Sequence, residues 1–261
     1  MQGNYTIPSI QYTVNTVDGK AGPSRIIWAR GVDRDVADAD TCAMDTLRQH
    51  AGGSAPVCVI PAAGRSSRMK GCPAGDFKPL LPWRGEPMCA AVARAALAAG
   101  CLPLLVTGYR GDELEAALSG LQGLVFVRND AWEAGMLGSI CTGAGAAGSF
   151  DPQGTGFLVA PADMPFIPVT AFAAILAAVR NRSAENAEPA ALFPTRNGRL
   201  GHPVWIPYAF LPGLMKLEAD GRLRDSLLSR EWAGVEVESD AIFVDVDTPA
   251  EYEATVATMR D

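Results

Sequence analysis

From Pro56 onward, short apolar runs alternate with segments of helical character, and few architectures accept that order. VCVIP at 57–61, LPLLVTG at 102–108, LVFVRN at 124–129 and GFLVAPAD at 156–163 are strand-length and apolar, as buried parallel strands are. Between them the pattern predicts a helix over 86–99 stopped by Gly100, a helix over 112–118 and a small-residue helix opening at Gly135 and Met136. A helix over 168–180 follows, with Pro near its first turn. Short strands are expected at 190–194 and 202–206, then a mostly helical stretch over 208–229 interrupted at Pro212-Gly213. IFVDVDTP reads as a last strand and 251–259 as a closing helix. Right-handed crossovers then give an α/β fold of three layers, a mostly parallel sheet with helices on both faces. Ligands of such sheets bind beyond the carboxyl ends of the strands, so the informative residues should follow Pro61, Val106, Val127 and Ala160.

Residues 1–55 read differently. They are rich in Asp, Gly, Thr and Ala; QYTVNTV alternates weakly, RIIWA suits a short strand, and 31–54 has little periodicity. We expect an N-terminal extension of unknown role, a hairpin and a short helix ending in the turn-rich AGGSAP, ahead of one α/β domain over 56–261. The formal net charge of −7 argues against nucleic acid as a partner, which needs a basic face. Any phosphate site must therefore be a local cluster of cations. Six cysteines without CxxC spacing and only two histidines argue against a zinc site and suit reduced thiols in the cytoplasm. The first residues lack a basic start and an apolar core, and no apolar run reaches the roughly 20 residues of a membrane span.

The loop after the first apolar run is PAAGRSSRMKGCPAGDFKPLLPW. Ala62, Ala63 and Gly64 carry little side-chain bulk, so backbone N–H groups there can approach phosphate oxygens. Arg65, Arg68, Lys70 and Lys78 concentrate positive charge in a chain that is acidic overall. GxxxxGK[ST] and GxGxxG are both absent, which weakens the ATPase and NAD-enzyme readings. On residue types alone, a surface loop with solvated cations fits equally well.

AAG-R-SSRM followed by K-PLL resembles the signature loop of the nucleotidyltransferases with a glycosyltransferase-A-like, Rossmann-like fold. The branch most similar is that of the molybdopterin cytidylyltransferases, the molybdenum hydroxylase accessory proteins. The likeness continues in order through LVTGYRGDEL, RNDAWEAGMLGSI, PADMP, GRLGHPV and DVDTPAEY, over about four-fifths of the chain. There are departures. GCPAGDF lengthens the step from Arg-Met to the lysine, so Lys70 and Lys78 both come into question; PLLPW after Lys78 favours Lys78. Asp130 stands where many relatives have Pro, and the extension has no counterpart.

The resemblance implies CMP transfer from CTP to the terminal phosphate of molybdopterin, with release of pyrophosphate and with Mg²⁺ as cofactor. It implies an apo molybdenum hydroxylase as a further partner, and no membrane. Arg68, Lys78 and Asp163 would carry the chemistry, and Asp163 and Asp247 would hold the metal, with Asp245 as the weaker candidate. Asp247 or Thr248 ahead of Pro249 also has the form of a helix cap. Ala62, Ala63, Gly64, Arg68, Lys78, Asn129, Gly135 and Ser139 would bind the nucleotide, and His202 the acceptor. Ala-Ala rather than Gly-Gly in the first loop favours cytosine over guanine. GTP, a sugar or alcohol phosphate acceptor, and a non-catalytic carrier of finished cofactor are the alternatives.

Overall fold

Successive residues of a strand face opposite sides of a sheet, so an apolar run must be covered twice. The computed structural model describes residues 26–28, 55–217 and 222–257 and shows that double cover. In chain order the elements are β1 (Ile26–Trp28), β2 (Val57–Pro61), the short β3 (Pro82–Trp83) and β4 (Glu86–Pro87), α1 (Met88–Ala98), β5 (Leu102–Thr107), α2 (Gly111–Leu118) and β6 (Val125–Arg128). Then come α3 (Met136–Phe150), β7 (Gly156–Val159), α4 (Val169–Ala184), β8 (Ala191–Arg196), β9 (Arg199–Leu200) and β10 (Val204–Pro207). The described chain ends with α5 (Leu211–Leu214), α6 (Leu223–Leu228), β11 (Trp232–Glu236) and α7 (Pro249–Ala257).

The main sheet has the order β1-β6-β5-β2-β7-β10-β8-β11, with β9 on β8. β6, β5, β2 and β7 run parallel, as expected; β10 runs antiparallel between β7 and β8, and β1 antiparallel to β6. Cys58, Ile60, Leu105, Phe126 and Leu158 pack against α1, α2 and α4. Val59, Val106, Val127, Phe157 and Ile206 pack on the other face, against α3 and the segment around Phe210 and Leu214. A smaller third cluster joins Met69, Cys72, Leu81, Trp83 and Met88 to Val246 and Tyr252, tying the long loop after β2 to the C-terminal helix. Among the described residues no helix is long and apolar enough to cross a membrane.

Three expectations need correction, and one strand went unread. Glu86 and Pro87 form a hairpin strand, and the helix starts only at Met88, because Pro87 is extended and serves as its N-cap. IFVDVDTP is not a strand: 240–243 is a 3₁₀ turn, and Val246 is buried in the third cluster instead of in a sheet. The 208–229 stretch is a 3₁₀ turn and two short helices, α5 and α6, with 218–221 outside the described residues. WAGVE forms β11, an edge strand whose half-exposed alternation carries no apolar run. RIIWA does supply β1, whereas the strand expected in QYTVNTV and the helix expected within 31–54 lie outside the described residues.

Helix α3 lies close on the sheet. A Cβ at Gly143 would stand 2.4 Å from Val59 Cγ1 and 2.9 Å from Val106 Cγ2, both on stiff β-branched side chains. At Gly138 in the same helix the nearest atom is 3.8 Å away. Ala gains about 1 kcal/mol over Gly in helix propensity, and overpacking costs about 1–3 kcal/mol. Gly143→Ala is therefore expected to lower the unfolding free energy in urea, and Gly138→Ala to leave it unchanged or raise it.

Candidate active site

The first loop leaves the sheet by prolonging its pairing. Ala62 N–H donates to the Val106 carbonyl (2.9 Å) and Tyr109 N–H to the Ala63 carbonyl (3.0 Å). Gly108 permits this approach, since a Cβ there would meet Trp132 Cβ at 2.6 Å and Ala63 Cβ at 2.8 Å. Ala62 and Ala63 turn their side chains inward, while an added Cβ at Gly64 meets nothing within 4 Å. The open backbone of the loop is thus centred on Gly64. Ser66 then takes a left-handed conformation (φ 56°), and its Oγ accepts from Lys78 N–H at 3.1 Å. The inserted GCPAGDF is anchored by buried Cys72 and Phe77, so it loops out without displacing Lys78. Lys70 is exposed.

Lys78 is buried, and its ammonium bridges two carboxylates, Asp163 Oδ2 at 2.9 Å and Asp247 Oδ1 at 2.6 Å. Arg68 pairs with the other Asp247 oxygen. Residues 68, 78, 163 and 247 are thereby gathered beside the loop that follows Pro61. Burial disfavours the Lys78 cation, yet Asp163 and Asp247 outweigh it and hold its pKa above the usual value. Burial likewise works against the Asp247 anion, but Lys78 and Arg68 keep its carboxyl below the usual range.

Asp247 is free for this role because it is not the cap of α7. Thr248 Oγ1 accepts from Glu251 N–H, and Glu251 Oε2 accepts from the N–H groups of Asp247 and Thr248 at 2.8 Å each, a capping box with Pro249 next in sequence. Val246, sunk in the third cluster, donates its N–H to the Asp163 carbonyl at 3.0 Å, which locks the two carboxylate-bearing segments together. Burial pushes the Asp245 carboxyl up, and its neighbour Asp247 adds to the shift.

The other expected residues fall on the same edge with structural bonds of their own. Buried Asn129 donates from Nδ2 to Ser139 Oγ (3.0 Å) and accepts from Ala131 N–H (3.1 Å). Gly135 (φ 100°) precedes α3, and Ser139 is in its first turn. His202 precedes β10, beside the end of β7, with its N–H on the Ile242 carbonyl. Its Nδ1 is sealed from solvent without a partner, and the ring also bonds the Val159 backbone. Two sets of side-chain pairings went unread in the sequence. Arg65 pairs with Glu133 (2.6 Å) and lies over the Trp132 ring (4.8 Å), clasping the first loop to the turn before α3. Arg128 bonds Glu115 (2.8 Å), which accepts from Thr107 Oγ1 (2.5 Å), and a Cβ at Gly111 would strike that guanidinium. Polar residues closing the apolar runs at Thr107 and Arg128, paired in register, were the available signal.

Residues 58–235 match the family model of the MobA-like NTP transferase domain. The molybdenum cofactor cytidylyltransferase of Escherichia coli is 30% identical over 199 residues, 76% of this chain and 94% of the relative. The nicotine blue oxidoreductase of Paenarthrobacter nicotinovorans is 28% identical over 193 residues, 73% and 91% of the two chains. Among solved structures, a nucleotidyl transferase from Methanothermobacter superposes with a TM-score of 0.64 and 28% identity, covering 80% of this chain and 99% of that one.

Burial lowers the His202 pKa from 6.5 to about 4. Between those values the unfolded chain binds a proton that the folded chain refuses, so stability is complete above pH 6.5 and falls as pH drops toward 4. Urea unfolding of wild type and His202→Gln across this window is expected to differ in slope, with the shallower fall in the variant.

Proposed function

The chain belongs to the MobA-like NTP transferase family, and from that premise we propose that it transfers CMP from CTP to the terminal phosphate of molybdopterin, with release of pyrophosphate. The observation that carries this reading is the ammonium of Lys78 shared by Asp163 and Asp247 beside the Ala62–Gly64 loop. An oxidoreductase aligns over nearly the same length as the cytidylyltransferase, so similarity alone does not choose the reaction. The cluster supports nucleotidyl transfer, because it gathers charges suited to a polyphosphate.

Two carboxylates converge on one ammonium-sized point, and no group of three acidic, histidine or cysteine ligands gathers among the described residues. Mg²⁺ commonly takes one or two carboxylates and completes its shell with water and substrate phosphates, so the pair fits it. Bound by Asp163 and Asp247, Mg²⁺ would neutralise charge on the triphosphate. Arg68 grips phosphate oxygens as a planar fork, and Lys78 meets them as a point charge. The backbone at Gly64 lies open to the nucleotide. An oxygen of the acceptor phosphate forms a bond to the α-phosphorus as the bond to the β-phosphate breaks. That oxygen is already ionised, so no protein nucleophile or general base is needed. His202, neutral at physiological pH, contributes to the acceptor side without adding charge. The chemistry suits the cytoplasm, where Cys58, Cys72, Cys89, Cys101 and Cys141 remain free thiols and an apo molybdenum hydroxylase receives the product.

The test is pyrophosphate release from each of the four NTPs with Mg²⁺ and molybdopterin. CTP is expected to be preferred. Asp163→Ala is expected to lose about a hundredfold or more in rate, the typical effect of removing one group that stabilises transition-state charge. Full turnover by that variant would overturn the metal assignment, and equal use of GTP the cytidylyl assignment.

A further inference from the structure

Resting on the nucleotidyl-transfer reading, we propose that Lys78 is an exchangeable internal cation. Its ammonium holds Asp163 and Asp247 in the ligand-free protein, yields them to the divalent ion, and swings to the triphosphate that arrives with that ion.

The cluster sets two carboxylates, Asp163 and Asp247, against two cations, Lys78 and Arg68, and is formally neutral. A divalent ion entering alone must displace an ammonium lying at 2.9 and 2.6 Å from the oxygens it needs. The displaced ammonium then lacks a partner in a largely buried site, where it is 10% exposed, and an unpaired buried charge is costly. Triphosphate oxygens remove that cost by accepting both Lys78 and Arg68.

The backbone that carries Lys78, Asp163 and Asp247 is pinned. Lys78 N–H is held by Ser66 Oγ and its carbonyl accepts from Leu81 N–H at 3.1 Å. The Asp163 carbonyl is held by Val246, and the Asp247 N–H by Glu251. The motion is thus confined to a flexible four-carbon stem. It follows that metal and nucleotide bind with positive coupling, and that each raises the affinity for the other by the same factor.

Mn²⁺ alone serves as the probe, titrated into the full chain with free Mn²⁺ followed by electron paramagnetic resonance, with and without CTP. Lys78→Met is expected to bind Mn²⁺ alone about tenfold more tightly than wild type, since a contact repulsion is removed. CTP is expected to tighten Mn²⁺ binding in wild type and to do so much less in the variant. Lys78→Gln is expected to move the same way and covers the case in which the Met variant fails to fold. Asp163→Asn is expected to abolish binding throughout. Mn²⁺ affinity in both Lys78 variants equal to or weaker than wild type, with Asp163-dependent binding intact, overturns the exchange and leaves the transfer reading standing. Absence of Asp163-dependent Mn²⁺ binding even with CTP overturns both.

Discussion

Lys78, Asp163 and Asp247 come from distant parts of the chain, yet one ammonium touches both carboxylates. Burying such charges rarely stabilises a protein, because the desolvation penalty offsets the attraction, and well-packed apolar residues often serve as well. The cluster is therefore poorly explained as a device for stability. It becomes intelligible as a set of charges held ready, with Lys78 and Asp247 kept ionised by their neighbours, at a place where a polyanion can reach them. The third apolar cluster and the Val246–Asp163 bond serve that convergence, since they tie the segment of Asp247 to the segment of Asp163.

The sheet explains why the convergence falls where it does. The chain builds β2, β5 and β6 in one direction and then returns to place β7 on the other side of β2. The crossover through α3 into β7 passes over the opposite face from α1 and α2, so β2 and β7 meet where the strand order reverses, the place at which ligands of such sheets bind. The loop with Arg68 and Lys78 follows β2, and Asp163 follows β7. β10, running antiparallel beside β7, begins at the same edge and brings His202 there. A Cβ at Gly201 would stand 2.6 Å from the Ile242 carbonyl, which pins this start to the turn ahead of Asp247. Four segments meet at one rim because strand order and direction leave them no other place.

Much of this was legible in the sequence, and the failures have physical causes. The central strands announced themselves because burial on both faces demands unbroken apolar runs. β11 did not, because a half-exposed edge strand containing Gly234 offers no such run. IFVDVDTP misled for the converse reason: Ile242 and Val246 are apolar for clusters formed by distant loops, and distant loops leave no local period. Asp245 and Asp247 could not be separated by strand parity, since no strand is present; only the Thr248–Glu251 capping box, which relieves Asp247 of capping, brings out the difference. Lys78 over Lys70 depended on how GCPAGDF folds, and PLLPW after Lys78 was the local sign. The Arg65–Glu133 clasp spans 68 residues and is a pairing of exposed groups, invisible to any pattern.

The division of labour in the site follows from its charges. Phosphate recognition is common to every nucleoside triphosphate, so Arg68, Lys78 and the two carboxylates have no means of choosing a base. On the proposed reading that choice falls to the first loop, where Ala62 and Ala63 are buried. Backbone bonds to Val106 and Tyr109 hold the loop against β5, and the Ala63 methyl sits in the tight seat beside Gly108. Base discrimination, on that reading, is a matter of backbone position near Gly64. A glycine in place of Ala63 would remove the contact beside Gly108 while leaving Arg68, Lys78 and the two carboxylates in place.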